Sequence, residues 1–356
     1  MNLEEIICQI QETDKRAGEI ARKRWNSIAK PLHSLGLLEE ITVQMAAVKR
    51  TADIRPGKKA LVVMCGDNGI VEEGVTQTGQ EVTAVVTENF TKGDTCSCIM
   101  AELAGADVFP VDIGVAKSLD YCGSKYPLIS RNIARGTKNF LKEPAMTKEE
   151  AIKAITVGFE IVKDLKNKGY EVIATGEMGI GNTTTSSAVA SLLLDKDPRL
   201  LTGKGAGLSK EGLERKIQVI AQGIAERKPD KNNVLDVLSK VGGLDIAGLL
   251  GVYLGGAAFL IPVIVDGLIS ATAALCAVKL CPAVKEYMIA SHLSEEPAGK
   301  MLLEALGLEP AIQAKMCLGE GSGALALLPL LDMGLAVYNR MSTFEEIKIQ
   351  EYKELS

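Results

Sequence analysis

An α/β fold with a largely parallel sheet, covered by helices on both faces, is predicted by three observations. Short apolar runs recur at 60–65, 106–114, 170–175 and 261–267, each too short for an ordinary helix and each closing on a polar turn that contains glycine. Between them lie longer stretches with mixed apolar and charged faces, so that strand and helix alternate from residue 60 to 338. Glycine is abundant (35 residues) and aromatics are few (4%), which suits tight turns and alanine-packed helices.

Residues 1–50 carry helices over Glu4–Gln11, Asp14–Ala29 and Leu35–Lys49, and Thr51–Lys59, with Pro56 and Gly57, is a linker. The first strand, 60–65, ends in Gly-Asp-Asn-Gly. Helices follow over Glu81–Phe90 and Lys92–Leu103, then the strand 106–114 and a polar, irregular stretch over 115–145. Thr147–Lys166 is an amphipathic helix opened by a capping box, Thr147 with Glu150. After the strand 170–175 comes GEMGIGNTTTSSA (176–188) and a helix over Ser186–Leu194. A glycine-rich loop (198–208) leads to a helix over Ser209–Arg227, capped by Ser209. Helices over Asn232–Lys240 and Leu244–Leu260 precede the strand 261–267, a helix over Leu268–Leu280, a strand running into a polar loop (284–296) and a helix over Pro297–Leu306. AKMCLGEGSGA (314–324) is expected as a last strand and its turn, followed by a helix over Ala324–Tyr338 and a charged tail helix, Phe344–Leu355. The large α/β domain is thus 60–338, and the two helical ends, 1–50 and 339–356, are expected to form a small helical domain.

Composition excludes several function classes. A net charge of −5 with 47% hydrophobic residues describes a soluble globular chain and argues against nucleic acid, which wants a basic face. The eight cysteines, Cys8, Cys65, Cys96, Cys98, Cys122, Cys276, Cys281 and Cys317, form no Cys-x-x-Cys pair and mostly sit in apolar runs; they read as reduced core thiols of a cytoplasmic protein. Two histidines, His33 and His292, are too few for a His-rich metal site. The N-terminus has no basic segment of the kind that opens a signal peptide. Residues 246–265 are free of charge over a membrane-spanning length, but four glycines, Pro262 and the bounding Asp245 and Asp266 favour a buried helix running into a buried strand.

The stretch 176–188 is the centre of the chemistry. Strand, glycine-rich turn and helix start in that order aim backbone N–H groups and the positive end of a helix dipole at one point. Gly176, Gly179 and Gly181 permit close approach, and Asn182 and Thr183 offer polar groups to phosphate oxygens. Glu177 is out of place in an anion-binding turn and implies a positive charge or a sugar hydroxyl nearby. Five polar turns, at 66–69, 112–114, 176–182, 266–267 and 319–323, share one edge of a parallel sheet and bring Asp67, Asp112, Glu177, Asp266 and Glu320 toward one crevice. Glu320, between Gly319 and Gly321 after an apolar run, is partly desolvated and suits a general base. Lys216, near the glycine-rich 198–208 loop, suits a phosphate. No phosphate loop ending in Gly-Lys-Ser/Thr, no dinucleotide fingerprint and no Gly-x-Ser-x-Gly motif is present. The residues alone therefore point to an α/β enzyme that binds a phosphorylated sugar and uses a carboxylate base.

At these residues the chain resembles the nicotinate-nucleotide:dimethylbenzimidazole phosphoribosyltransferases, which make the lower-ligand nucleotide of cobamides. The matching pieces are GDNGIVEEGV (66–75), EVTA (81–84), NF (89–90), VDIG (111–114), GEMGIGNTTTSSA (176–188), GAGL (205–208), RKI (215–217), VGGLDIAG (241–248), DG (266–267), SHLSEEPAG (291–299) and LGEGSGA (318–324), in family order. The resemblance implies a Rossmann-like large domain with a small helical domain from both chain ends, a dimer, and no metal or redox cofactor. It implies displacement of nicotinate from C1 of nicotinate mononucleotide by an aromatic base, with inversion from β to α. The family's catalytic glutamate falls on Glu320, which takes the proton from the attacking nitrogen. Its second acid falls on Glu177, near the ribose. Phosphate-binding positions fall on 179–183, Gly205 and Lys216, and further substrate-binding positions on Asp266, Gly267 and Ser294.

The chain departs from the family around 78–85. Tyr-Pro before Glu-Val-Thr is replaced by Thr78 and Gly79, and a glutamine of the following helix, which borders the acceptor pocket in relatives, by Val85. An apolar wall there would suit phenol or p-cresol, the acceptors of relatives that work as heterodimers of two paralogues. The expected acceptors are therefore 5,6-dimethylbenzimidazole or a phenolic, with a homodimer or a paralogue pair as the assembly; a catalytically silent subunit of such a pair is the other reading.

Overall fold

The computed structural model describes residues 2–119 and 125–353. Three helices open the chain: α1 (Leu3–Ile7), α2 (Lys15–Ser27) and α3 (Leu37–Lys49). Asn2 and Asp14 cap the first two, their side chains accepting orphan N–H groups of the first turn. Strand β1 (Lys58–Gly66) is followed by α4 (Glu81–Lys92), α5 (Cys96–Ala104), β2 (Ala106–Gly114) and the short edge strand β3 (Ile129–Ser130). Then come α6 (Lys148–Asn167), opened by the expected Thr147–Glu150 capping box, β4 (Tyr170–Met178), α7 (Asn182–Leu194), α8 (Pro198–Leu201), α9 (Lys210–Arg227), capped by Ser209, α10 (Val234–Val241) and α11 (Leu244–Ala258). The chain continues through β5 (Val263–Val265), α12 (Leu268–Leu280), β6 (Met288–Ala290), α13 (Ala298–Leu306) and α14 (Ser322–Arg340).

The strands form one sheet in the order β3-β2-β1-β4-β5-β6, every neighbouring pair parallel. This bears out the α/β class. Strand β1 shows why both faces are covered. Ala60, Val62 and Met64 belong to one buried cluster, with α6, α11 and α12; Leu61, Val63 and Cys65 belong to the other, with Trp25 of α2, Met45 of α3, Cys98 of α5 and Leu328 of α14. Alternate side chains leave a strand on opposite faces, and here neither face meets water. The apolar 246–265 stretch is the core helix α11 running into β5.

The structure corrects several boundaries. Helix α7 begins at Asn182, four residues before expectation, because Gly181 adopts φ 92° and turns the chain straight into the helix. The 198–208 loop contains α8, with Pro198 at its first turn. No strand forms over 314–318: Lys315 takes a left-handed φ of 54°, which an extended run cannot pass through. No tail helix forms over 344–353, where Lys348 is left-handed (φ 58°) and the chain makes turns instead; Leu355 lies outside the described residues. Of the cysteines, Cys65, Cys98 and Cys276 are buried and Cys281 partly so, but Cys8, Cys96 and Cys317 are exposed; Cys122 lies outside the described residues.

Candidate active site

The strand order reverses between β1 and β4, and a cavity of about 230 Å³ lies on that carboxyl edge. It is walled by the 75–78 loop, the end of β4 and first turn of α7, the 204–208 turn with Lys216 of α9, the residues after β5 and β6, and 317–320.

One end is built around a buried ammonium. Lys216 is 1% exposed, and its Nζ donates to Thr183 Oγ1 (2.7 Å) and to the Gly203 carbonyl (3.2 Å). Gly205 closes over this pair in a left-handed conformation (φ 52°); a Cβ there would sit 3.0 Å from Thr183 Oγ1 and 3.5 Å from Lys216 Nζ, which is the physical reason for a glycine. Burial pulls the pKa of Lys216 down to about 8, partly offset by the carboxylate of Glu296. Burial in turn raises the pKa of Glu296, whose Oε2 has no hydrogen-bond partner among the described residues. Helix α7 starts beside Lys216 with no side-chain cap on its first turn. A buried cation at an uncapped helix start is a seat for an anion.

The other end is acidic. Glu177, at the end of β4, is buried, and the Asn182 side-chain amide donates to its Oε2. Burial pushes its pKa well up, with Asp245 and Asp266 adding to the effect. Glu320 sits in a turn of three left-handed residues, Gly319, Glu320 and Gly321 (φ 87°, 58° and 83°). The turn lies against β4: a Cβ on Gly176 would stand 2.7 Å from the Glu320 carbonyl oxygen, and one on Gly319 would collide with Glu177. Burial raises the pKa of Glu320, and a hydrogen bond from Ser97 Oγ to Oε2 (3.2 Å) works against the rise.

Asp266 lines the cavity, but its carboxylate is spent on the protein. Its Oδ1 accepts from Gly323 N (2.8 Å) and Ala324 N (3.1 Å), and Oδ2 from Gly321 N (3.1 Å), so it caps α14 and holds the turn that carries Glu320. His292 Nδ1 stands 4.0 Å from Asp266 Oδ1 and 3.0 Å from Ser291 Oγ. Gly267 packs by His292 and Ser294, a Cβ there lying 3.7 Å from each.

The cavity brings together Glu320, Glu177, Gly179, Gly181, Asn182, Thr183, Gly205, Lys216, Asp266, Gly267 and Ser294. Val85 is a correction. It is 50% exposed and lines no part of the cavity. On α4 the buried face is Thr83, Ala84, Thr87 and Phe90, and two residues on from Thr83 the helix has turned Val85 outward. From α4, Thr83 supports the site from behind: its Oγ1 accepts from the backbone N–H of Ile180, which lines the cavity (3.0 Å). Asp67 and Asp112 also stand outside the cavity, accepting from Ala116 N and Val115 N respectively. Sequence reasoning missed Lys204, His292 and Glu296, although the last two lie in SHLSEEPAG, and it had no signal for Ser97.

Among the described residues, four carboxylates (Glu177, Asp266, Glu296, Glu320) face two lysines and one histidine around the cavity. Such a cavity suits a ligand with an anionic end and a cationic middle.

Comparison with known proteins agrees over almost the whole chain. A family model described as phosphoribosyltransferase matches residues 10–349. Proteins called nicotinate-nucleotide--dimethylbenzimidazole phosphoribosyltransferase from Ruminiclostridium cellulolyticum and Clostridium acetobutylicum are 48% and 47% identical, with 100% of each chain covered. The crystal structure of CobT from Thermus thermophilus superposes with a TM-score of 0.89 at 36% identity, covering 95% of this chain and 100% of that one.

Proposed function

The chain belongs to the nicotinate-nucleotide–dimethylbenzimidazole phosphoribosyltransferase family, and on that premise we propose that it transfers the 5-phosphoribosyl group of nicotinate mononucleotide to 5,6-dimethylbenzimidazole. The products are nicotinate and the α-riboside 5′-phosphate used in assembling the nucleotide loop of cobamides. The observation that carries this reading is the polarity of one cavity: buried Lys216 at one end, Glu177 and Glu320 at the other. Nicotinate mononucleotide has the matching order of charge, phosphate first and pyridinium beyond the ribose.

In this mechanism Lys216, Thr183 and the 179–183 and Gly205 backbone hold the 5′-phosphate. Glu177 lies beside the ribose; burial raises its pKa in the free protein, and the cation that develops at C1 favours its ionised form, which in turn stabilises that cation. The acceptor nitrogen attacks C1 from the face opposite nicotinate. The C1–N bond to nicotinate breaks, its electron pair neutralises the pyridinium, and the configuration inverts. Glu320 takes the acceptor's N–H proton. Asp266 acts through the turn it caps, and Gly267 and Ser294 line the ribose side.

Val85 gives no ground for a phenolic acceptor, since it does not reach the cavity. The apolar lining of the cavity includes instead Met178, which follows Glu177, and Cys317 and Leu318, which precede the Glu320 turn. A dimer, of like chains or with a paralogue, belongs to the same reading, as does a soluble, cytoplasmic enzyme whose apolar 246–265 stretch is core. The test is the purified chain with nicotinate mononucleotide and equimolar 5,6-dimethylbenzimidazole and p-cresol, alone and with a co-expressed paralogue. Nicotinate release with the benzimidazole α-riboside phosphate is the expected outcome. No turnover in either preparation contradicts the reading, and a p-cresol product alone reassigns the acceptor.

A further inference from the structure

We propose that Ser97 is a positioning residue for the transfer: its hydroxyl, hydrogen-bonded to Oε2, orients the Glu320 carboxylate toward the acceptor. This rests on the reading of Glu320 as the base. Ser97 is fully buried, in the first turn of α5, a helix capped by Thr95, whose side chain accepts from Cys98 N. Its Oγ donates to Glu320 Oε2 across 3.2 Å, joining two elements 223 residues apart in the chain. The Ser97 backbone N–H favours the same charge. Glu320 thus faces the N-terminal turn of α5 with a hydroxyl and an amide turned toward it, an arrangement that stabilises a carboxylate.

Glu320 has need of such a partner. It stands on a left-handed turn (φ 58°) at the wall of the cavity, away from the regular backbone of any helix or strand. The other titratable groups around it are unhelpful to its charge. Glu177 of β4 and Asp266 after β5 are acids, and Cys98 of α5 is a buried thiol; of the basic groups on that side, His292 is turned to Asp266, and Lys125, whose charge reaches Cys98, is paired with Glu102. Without the Ser97 donors, burial and these acids would raise the pKa of Glu320 further and favour its protonated form. Ser97 therefore sets both the direction in which the carboxylate points and the pH below which the base is lost.

The experiment is the pH profile of kcat and kcat/KM for Ser97→Ala, Ser97→Cys and Ser97→Thr beside wild type and Glu320→Gln. Ser97→Cys keeps the side-chain volume with a poor donor, so it answers should the alanine variant not fold. Losing the donor raises the pKa of the base, so the acid limb should move to higher pH by about one unit, with kcat at neutral pH down about tenfold and the nucleotide KM within about twofold of wild type. Ser97→Thr, which keeps the hydroxyl, should return the limb toward its wild-type position. An acid limb unmoved in both donor-poor variants overturns the role of Ser97, as does a loss confined to KM. A Glu320→Gln enzyme with the wild-type rate overturns the underlying base assignment instead, so the two failures are told apart.

Discussion

Lys216 shows how a single residue sets both affinity and its pH dependence. Its ammonium is buried against a hydroxyl and a carbonyl, and burial lowers its pKa to about 8. Below about pH 8 the free protein presents a cation to phosphate; above it, binding the phosphate first requires taking up a proton. The nucleotide Kd should therefore be flat from about pH 6.5 to 7.5 and weaken as pH rises through 8, which isothermal titration will read. Lys216→Ala should raise that Kd about ten- to hundredfold, the worth of a charged hydrogen bond, and remove the pH dependence. Equal affinity of wild type for the nucleotide and its dephosphorylated nucleoside would contradict the role. The sequence made Lys216 legible through the nearby glycine-rich loop. It did not make Val85 legible: only the burial pattern of α4 decides which side of that helix faces inward.

At the scale of elements, two contacts hold the site's frame. Helices α6 and α11 cross with Gly158 and Gly251 at the contact. A Cβ on Gly158 would stand 2.8 Å from Val252 N, and one on Gly251 3.0 Å from Phe159 N, backbone atoms that have nowhere to go. Gly158→Ala should lower stability by about 1–3 kcal/mol or more, read as a fall in Tm. The second contact is Asp266 on the first turn of α14. Because three N–H groups depend on its two oxygens, Asp266→Ala should lower Tm and slow turnover together, through the loosened Glu320 turn, with the nucleotide Kd changed little. A large rise in Kd at unchanged Tm would assign Asp266 to the substrate instead. Elements with strong local signals were legible, among them the capping box of α6 and the full extent of α12. The 314–318 stretch was not, because its apolar letters resemble a strand while Lys315 bends the chain and leaves Cys317 and Leu318 facing the cavity.

Across the whole molecule, the parallel sheet explains why residues far apart in sequence act together. Strands β4, β5 and β6 end at one edge, so Glu177, Asp266 and His292 converge, while α9 and the turn before α14 deliver Lys216 and Glu320 from the two sides. Alternation of strand and helix was enough to predict that edge. It was not enough to find Ser97, whose link to Glu320 depends on how α5 packs against α14. The central claim is a division of labour within one cavity, with binding at the Lys216 end and proton transfer at the Glu320 end. It is tested most directly by measuring kcat and the nicotinate mononucleotide Kd of Glu320→Gln with saturating 5,6-dimethylbenzimidazole. A kcat reduced about 10²–10⁴-fold, with the Kd within about twofold of wild type, is the expected result. Turnover near the wild-type rate at neutral pH would contradict it.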